Sequence, residues 1–183
     1  MHYPSDLATH VIDTEFFYGP SLLISPVTEA DSTSVTFYVP DDIFYDFFTF
    51  MRIPNSGINI THTNVKFTDI PIHIKGGSII PARINSANTT NALRDIDFEL
   101  LIAPDKDGKA SGSLYLDDGV SIEQKETSNI EFHFEGEKLR SEGSFGFKTD
   151  LKVRNLLVMG ERGAVEYEVE LGLDGAWELD LHV

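Results

Sequence analysis

Hydrophobic positions along this chain alternate with polar ones instead of recurring at helical spacing. The clearest stretch is Asp69–Pro81, where Ile70, Ile72 and Ile74 alternate with Pro71, His73 and Lys75. Period two predicts a strand with one apolar and one polar face. On that reading His73 lies on the polar face, at the surface or between domains. Gly76-Gly77 predicts a tight reversal, because glycine tolerates positive φ without a Cβ clash. Ser78–Ile80 then returns as a short buried strand, and Pro81 ends it by withholding a ladder N–H. Pro71 predicts an edge position or the start of its strand.

Upstream, Ser21–Val27 is a short, nearly continuous apolar run, as expected of a strand buried on both sides. Ser34–Pro40 is rich in β-branched and aromatic residues and predicts the next strand, with Asp41-Asp42 as its turn. Phe44, Tyr45, Phe47, Phe48 and Phe50 crowd the following segment, and Asn55-Ser56-Gly57 breaks it. Ile58–Phe67 is polar and β-prone. His2–Tyr18 has no clear period and reads as a piece that packs on a larger body.

Downstream, the composition between Ile84 and Asn91 shifts to Asn, Ser, Thr and Ala, which predicts a linker. Strands are predicted at Phe98–Ala103, Gly112–Leu116, Ile130–Phe134, Lys152–Met159, Val165–Leu171 and Trp177–Leu181. Turn signals such as Asp107-Gly108, Asp118-Gly119 and Asp174-Gly175 separate them. That spacing is a β-sandwich pattern, and no segment carries a sustained, capped helical period.

At 183 residues the chain is long enough to bury a real core. Its formal net charge of −16 argues against nucleic-acid and anionic-membrane partners, which attract basic proteins. With no cysteine there is no disulfide framework and no thiolate zinc site. No run approaches the roughly 20 apolar residues of a spanning helix. The chain opens without the basic start and apolar core of a signal peptide.

The acidic residues invite a glycosidase reading, yet Asp41-Asp42 and Asp117-Asp118 are sequence neighbours. Neighbouring strand residues point to opposite faces, and neighbouring turn residues face water. Asp105-Lys106-Asp107-Gly108 has part of a calcium-loop pattern but lacks the closing Glu, which would fall at Leu116; a polar hairpin turn is the simpler expectation. The histidines show no metal-ligand spacing, and nucleophile elbows and phosphate loops are absent. The Phe44–Phe50 aromatics suit a sandwich interior better than a sugar platform. The sequence therefore nominates no catalytic, cofactor-binding or metal-binding residue. It does hold candidate N-glycosylation sites at Asn59 (Asn59-Ile60-Thr61) and Asn88 (Asn88-Thr89-Thr90).

Taken together and in order, five motifs resemble the C-terminal part of family 31 glycoside hydrolases, especially fungal secreted α-glucosidases. They are Asp13–Pro20 with Leu22–Val27, Tyr38–Asp42, Tyr45–Thr49, Ile70–Pro81 and Gly112–Gly119. The resemblance implies an all-β chain of two consecutive β-sandwich domains. Residues 1–21 would be a remnant of the end of a (β/α)8 catalytic barrel, residues 22–83 a proximal sandwich and residues 84–183 a distal one. It also implies a parent that hydrolyses α-glucosidic bonds with retention, using a nucleophile and an acid/base about 5 Å apart. The family's Trp-x-Asp-Met-Asn-Glu nucleophile motif has no match here, so no catalytic residue carries over. The implied partner is the barrel itself, with α-glucans or oligosaccharides as ligands, and the implied location is extracellular. The alternative is a free-standing carbohydrate-binding or interaction module.

Overall fold

A computed structural model describes residues 2–181. The chain is almost entirely β, as the alternation predicts. Its strands are β1 (Phe16–Tyr18), β2 (Leu22–Ile24), β3 (Ser34–Val39), β4 (Phe44–Asp46), β5 (Ile58–Thr63), β6 (Ile72–Lys75), β7 (Ser78–Arg83), β8 (Phe98–Ala103), β9 (Lys109–Leu116), β10 (Ser128–Glu135), β11 (Lys138–Phe145), β12 (Lys152–Gly160), β13 (Gly163–Gly172) and β14 (Trp177–Asp180). A 3-10 turn spans Leu7–Val11, and one short helix, α1, spans Thr90–Arg94. Thr89 caps α1 by accepting from the Ala92 N–H, which satisfies one of the orphan donors at a helix start.

The chain divides into two compact units. One ends at Gly76 and takes in Gly160–Gly163; the other runs Gly77–Met159 and resumes at Ala164. The first unit sets a four-stranded sheet, in the order β1-β2-β6-β4, beside the β3–β5 pair. Leu23, Phe37, Val39 and Phe44 form its core, with Phe17, Val35 and Ile60 packed against them. The core thus draws on both sheets, and each such side chain gains about 1.5–3 kcal/mol by leaving water.

The second unit is one eight-stranded sheet, in the order β13-β12-β8-β7-β9-β10-β11-β14. Residues from both halves of this sheet share one core: Leu100 and Ile102 of β8, Leu156 of β12, Phe132 of β10 and Leu139 of β11 are all buried. The sheet therefore curls over itself and is nearly closed. Trp177 of β14 packs near Phe132 at 6.0 Å and donates its indole N–H to the Gly172 carbonyl at the end of β13. Strand β8 matches its expected bounds residue for residue. Strand β11 was not foreseen, because its interior carries Arg140, Glu142 and Gly143 among few apolar residues.

The expected hairpin at Gly76-Gly77 does not form. Strand β6 pairs with β2 and β4, while β7 pairs with β8 and, at Ser78 alone, with β9. The two glycines instead hand the chain from one sheet to another. Gly77 has φ of 87°, which a side chain would resist. Pro71 does precede the first residue of its strand. Pro81 does not end β7, which runs on to Arg83. Past Ser78 that strand is laddered to β8 only, so the missing N–H has an unpaired side to face. Residues 84–89 are irregular and lead into α1, so the expected linker is partly helical.

Candidate functional site

His73 departs most from expectation. It is fully buried, its ring stacks on Phe37 at 4.7 Å and the His62 ring sits edge-on at 5.5 Å. Neither ring nitrogen has a hydrogen-bond partner. Strand β6 is an inner strand, so the face read as polar packs towards Phe37 of β3. Burial, and then the neighbouring His62, push the His73 pKa down to about 4, against a smaller upward pull from Asp46. The imidazole is therefore neutral at physiological pH.

A cleft of about 350 Å³ lies in the first unit, lined among others by Tyr3, Glu15, Phe16, Phe17 and Tyr38. Its walls are mainly apolar, and Glu15 is the carboxylate among them. Desolvation raises the Glu15 pKa, against hydrogen bonds from the Tyr38 N–H and the Ser25 hydroxyl that lower it. Those bonds measure 3.0 Å and 3.2 Å. A half-buried carboxyl with a raised pKa is one requirement of a general acid. Here both its oxygens are spent on the protein's own donors, and they tie the segment before β1 to β3 and to Ser25. Beside it Tyr38 donates to Asp6 at 2.8 Å, and Tyr3 donates to Asp42 at 3.0 Å.

The remaining motif acids hold turns. Asp118 accepts from the N–H groups of Val120 and Ser121 and from the side chains of Ser121 and Gln124. These bonds, led by the Ser121 hydroxyl, hold its carboxyl well below the usual range. Asp117 accepts from the Gly119 N–H, and Asp41 from the Ser56 hydroxyl. Asp105 accepts from the N–H groups of Asp107 and Lys109, which makes the calcium-like tetrapeptide an Asx-type turn. That turn does not join paired strands, since β7 lies between β8 and β9.

The aromatic run splits. Phe44 and Tyr45 are buried, whereas Phe48 is 63% exposed and meets Phe47 edge-on at 5.4 Å. Asn59, on β5, and Asn88, just before the Thr89 cap, are both exposed. Sequence reasoning missed Glu15 as a half-buried anchor. Its signal was its place beside the aromatic residues Phe16, Phe17 and Tyr18.

Residues 1–80 match the family model described as Glycosyl hydrolase family 31 C-terminal domain. Among curated proteins, the chain is 47% identical over 196 residues to the Probable alpha/beta-glucosidase agdC of Neosartorya fischeri, covering 98% of this chain and 22% of that protein. It is 51% identical over 160 residues to the Probable alpha/beta-glucosidase of Arthroderma benhamiae, covering 86% of this chain and 18% of that protein. The chain thus spans about a fifth of the length of these relatives. Among solved structures, the glucosidase II alpha subunit superposes with a TM-score of 0.85 at 22% identity, over 98% of this chain and 25% of that one. The GH31 alpha-xylosidase of Xanthomonas citri gives 0.78 at 21% identity, over 100% of this chain and 21% of that one. At such identities the structural matches speak for the fold alone.

Proposed function

Since this chain belongs to glycosyl hydrolase family 31, with residues 1–80 matching that family's C-terminal domain, we propose that it is the β-sandwich support of an α-glucosidase-like enzyme and has no hydrolytic activity of its own. The parent reaction in this reading is retaining hydrolysis of α-glucosidic bonds, performed on a catalytic barrel that these β-units buttress. The observation that carries it is the use of the motif carboxylates. Glu15, Asp46, Asp117 and Asp118 are all hydrogen-bonded to donors in their own loops or adjoining strands. Retaining hydrolysis needs two carboxyls aimed at one sugar from opposite sides. Asp46, Asp117 and Asp118 instead set the geometry of turns, and Glu15 ties the segment before β1 to β3.

The test is to purify the chain from a host lacking α-glucosidase and assay it on a chromogenic α-glucoside and on maltose. No turnover above background is expected. Turnover that vanishes in Asp118→Asn or Glu15→Gln would overturn the reading.

A second reading is binding of α-glucan by the first unit, favoured by the apolar cleft that the exposed Phe16 lines, with Tyr18 exposed two residues further along β1. Aromatic faces suit sugar faces, and glycan-array binding lost in Tyr18→Ala would establish it. We further propose an extracellular location, a reading supported by the exposure of both sequon asparagines, Asn59 and Asn88. Expression through a secretory host should add glycan mass that Asn59→Gln and Asn88→Gln together remove.

A further inference from the structure

The outer face of β10 and β11 brings two carboxylates and an imidazole together. Glu131 and Glu142 stand directly opposite each other in the antiparallel register. Like charges in that position repel, and strands ordinarily avoid it. His133 projects from β10 on the same face, two residues along from Glu131. Its Nε2 lies 3.3 Å from Glu142 Oε1 and 3.7 Å from Glu131 Oε2.

The neighbouring acids on this surface are neutralised by lysine: Glu135 by Lys109 at 2.6 Å, and Glu178 and Asp180 by Lys138 at 2.9 Å and 3.6 Å. Among the described residues, Glu131 and Glu142 have no such lysine or arginine, and His133 is their sole partner. Yet Nε2 is sealed from solvent and makes no hydrogen bond of acceptable geometry with either carboxylate. It is a lone pair or an N–H aimed between two anions and aligned with neither.

The spacing suits a different arrangement. Nitrogen and oxygen ligands about 2.0–2.1 Å from a tetrahedral metal are separated by about 3.4 Å along each edge. The two observed distances bracket that edge, and the three ligand atoms all lie within 4.8 Å of one another. We propose that Glu131, His133 and Glu142 form a divalent-cation site of the zinc class, with water in the fourth position. One imidazole and two carboxylates suit Zn²⁺ better than the all-oxygen sets of Ca²⁺ or Mg²⁺. The cation relieves the opposed carboxylates, gives the secluded Nε2 a partner, and clips β10 to β11. This site does not depend on the support role or on any activity of the parent.

The experiment is calorimetric titration of the chelator-treated full chain with ZnCl₂ at pH 7, beside His133→Ala and Glu142→Gln, each checked for folding by circular dichroism. The expected result is one equivalent bound by the native chain. His133→Ala abolishes it, and Glu142→Gln weakens it by more than the about tenfold that loss of a merely supporting group costs. Glu142→Gln removes charge while keeping shape, so it decides the matter if His133→Ala misfolds. No saturable zinc binding, or equal binding by the native chain and Glu142→Gln, overturns the proposal. Tighter binding of Ca²⁺ than of Zn²⁺ overturns the assigned ligand class.

Discussion

Acid should destabilise the first unit through His73. The folded imidazole titrates near pH 4, chiefly because burial disfavours its charged form. In the unfolded chain it titrates near its ordinary value of about 6.5. A folded pKa below the unfolded one means that the unfolded state binds the proton first. Stability is then full above about pH 6.5 and is lost as pH falls towards 4. At about 1.36 kcal/mol per pKa unit, the linkage reaches about 3 kcal/mol, with about 2.5 kcal/mol of it lost between pH 7.5 and 4.5. Against a typical total of about 5–15 kcal/mol this is a large share.

The groups facing His73 bear on the size of this effect. Asp46 of β4 is its cross-strand partner and favours the cation, while His62 of β5 disfavours it. Leu23 of β2, opposite on the other side, is apolar. His73→Phe keeps a ring on Phe37 and removes the titration. Urea unfolding followed by far-UV circular dichroism from pH 7.5 to 4.5 should show the native chain losing about 2.5 kcal/mol more than the variant. Trp177 lies in the other unit, so its fluorescence serves as a separate reporter. Equal pH slopes for native and variant chains in this window would refute the argument.

Gly112→Ala should cost about 3 kcal/mol or more in the same unfolding assay, because a Cβ there falls 2.0 Å from the Ile79 carbonyl oxygen of β7. Glu15→Ala strands the Tyr38 N–H and the buried Ser25 hydroxyl, and should cost about 1–3 kcal/mol, read as a lower urea midpoint. Asp97 accepts from the Lys152 N–H and pairs with Arg154 at 2.6 Å. Burial raises its pKa, but those contacts outweigh this and leave it lowered, so Asp97→Asn should flatten the loss of stability as pH falls below about 4. Hydrogen exchange should be fast over Leu7–Val11, where no residue is buried, and slow over Phe98–Ala103; equal protection would count against the fold of the first segment.

Strand identity was legible because a two-residue period survives at the level of single residues. Phe98–Ala103 announces itself by an apolar run interrupted at Glu99, and the structure covers it on both faces. The pattern failed where packing, not periodicity, decided the outcome. His73 alternates with isoleucines and so looks polar-facing, but period two says only which residues share a face. It does not say what lies over that face, and here Phe37 does. Gly76-Gly77 failed for a related reason. A glycine pair licenses a sharp change of direction without specifying whether the chain returns to the same sheet.

The candidate site was hidden more deeply, because it depends on register. Strand β11 carries too few apolar residues to be read as a strand, so Glu142 had no assigned place. Only when Glu131 is set opposite Glu142, and His133 opposite Arg140, do the three ligands converge. Their sequence separations carry none of the short spacings by which metal sites on one helix or one loop are recognised. The motif residues show the converse. Asp118 and Gly112 belong to a motif conspicuous in the sequence, yet one is bound up by four local donors and the other makes room for the Ile79 carbonyl. A residue that closes a turn or admits a neighbouring backbone is as narrowly specified as one that touches a substrate. In a chain that spans about a fifth of its relatives' length, motif strength therefore measures how tightly the backbone is constrained, and chemistry has to be sought where side chains converge.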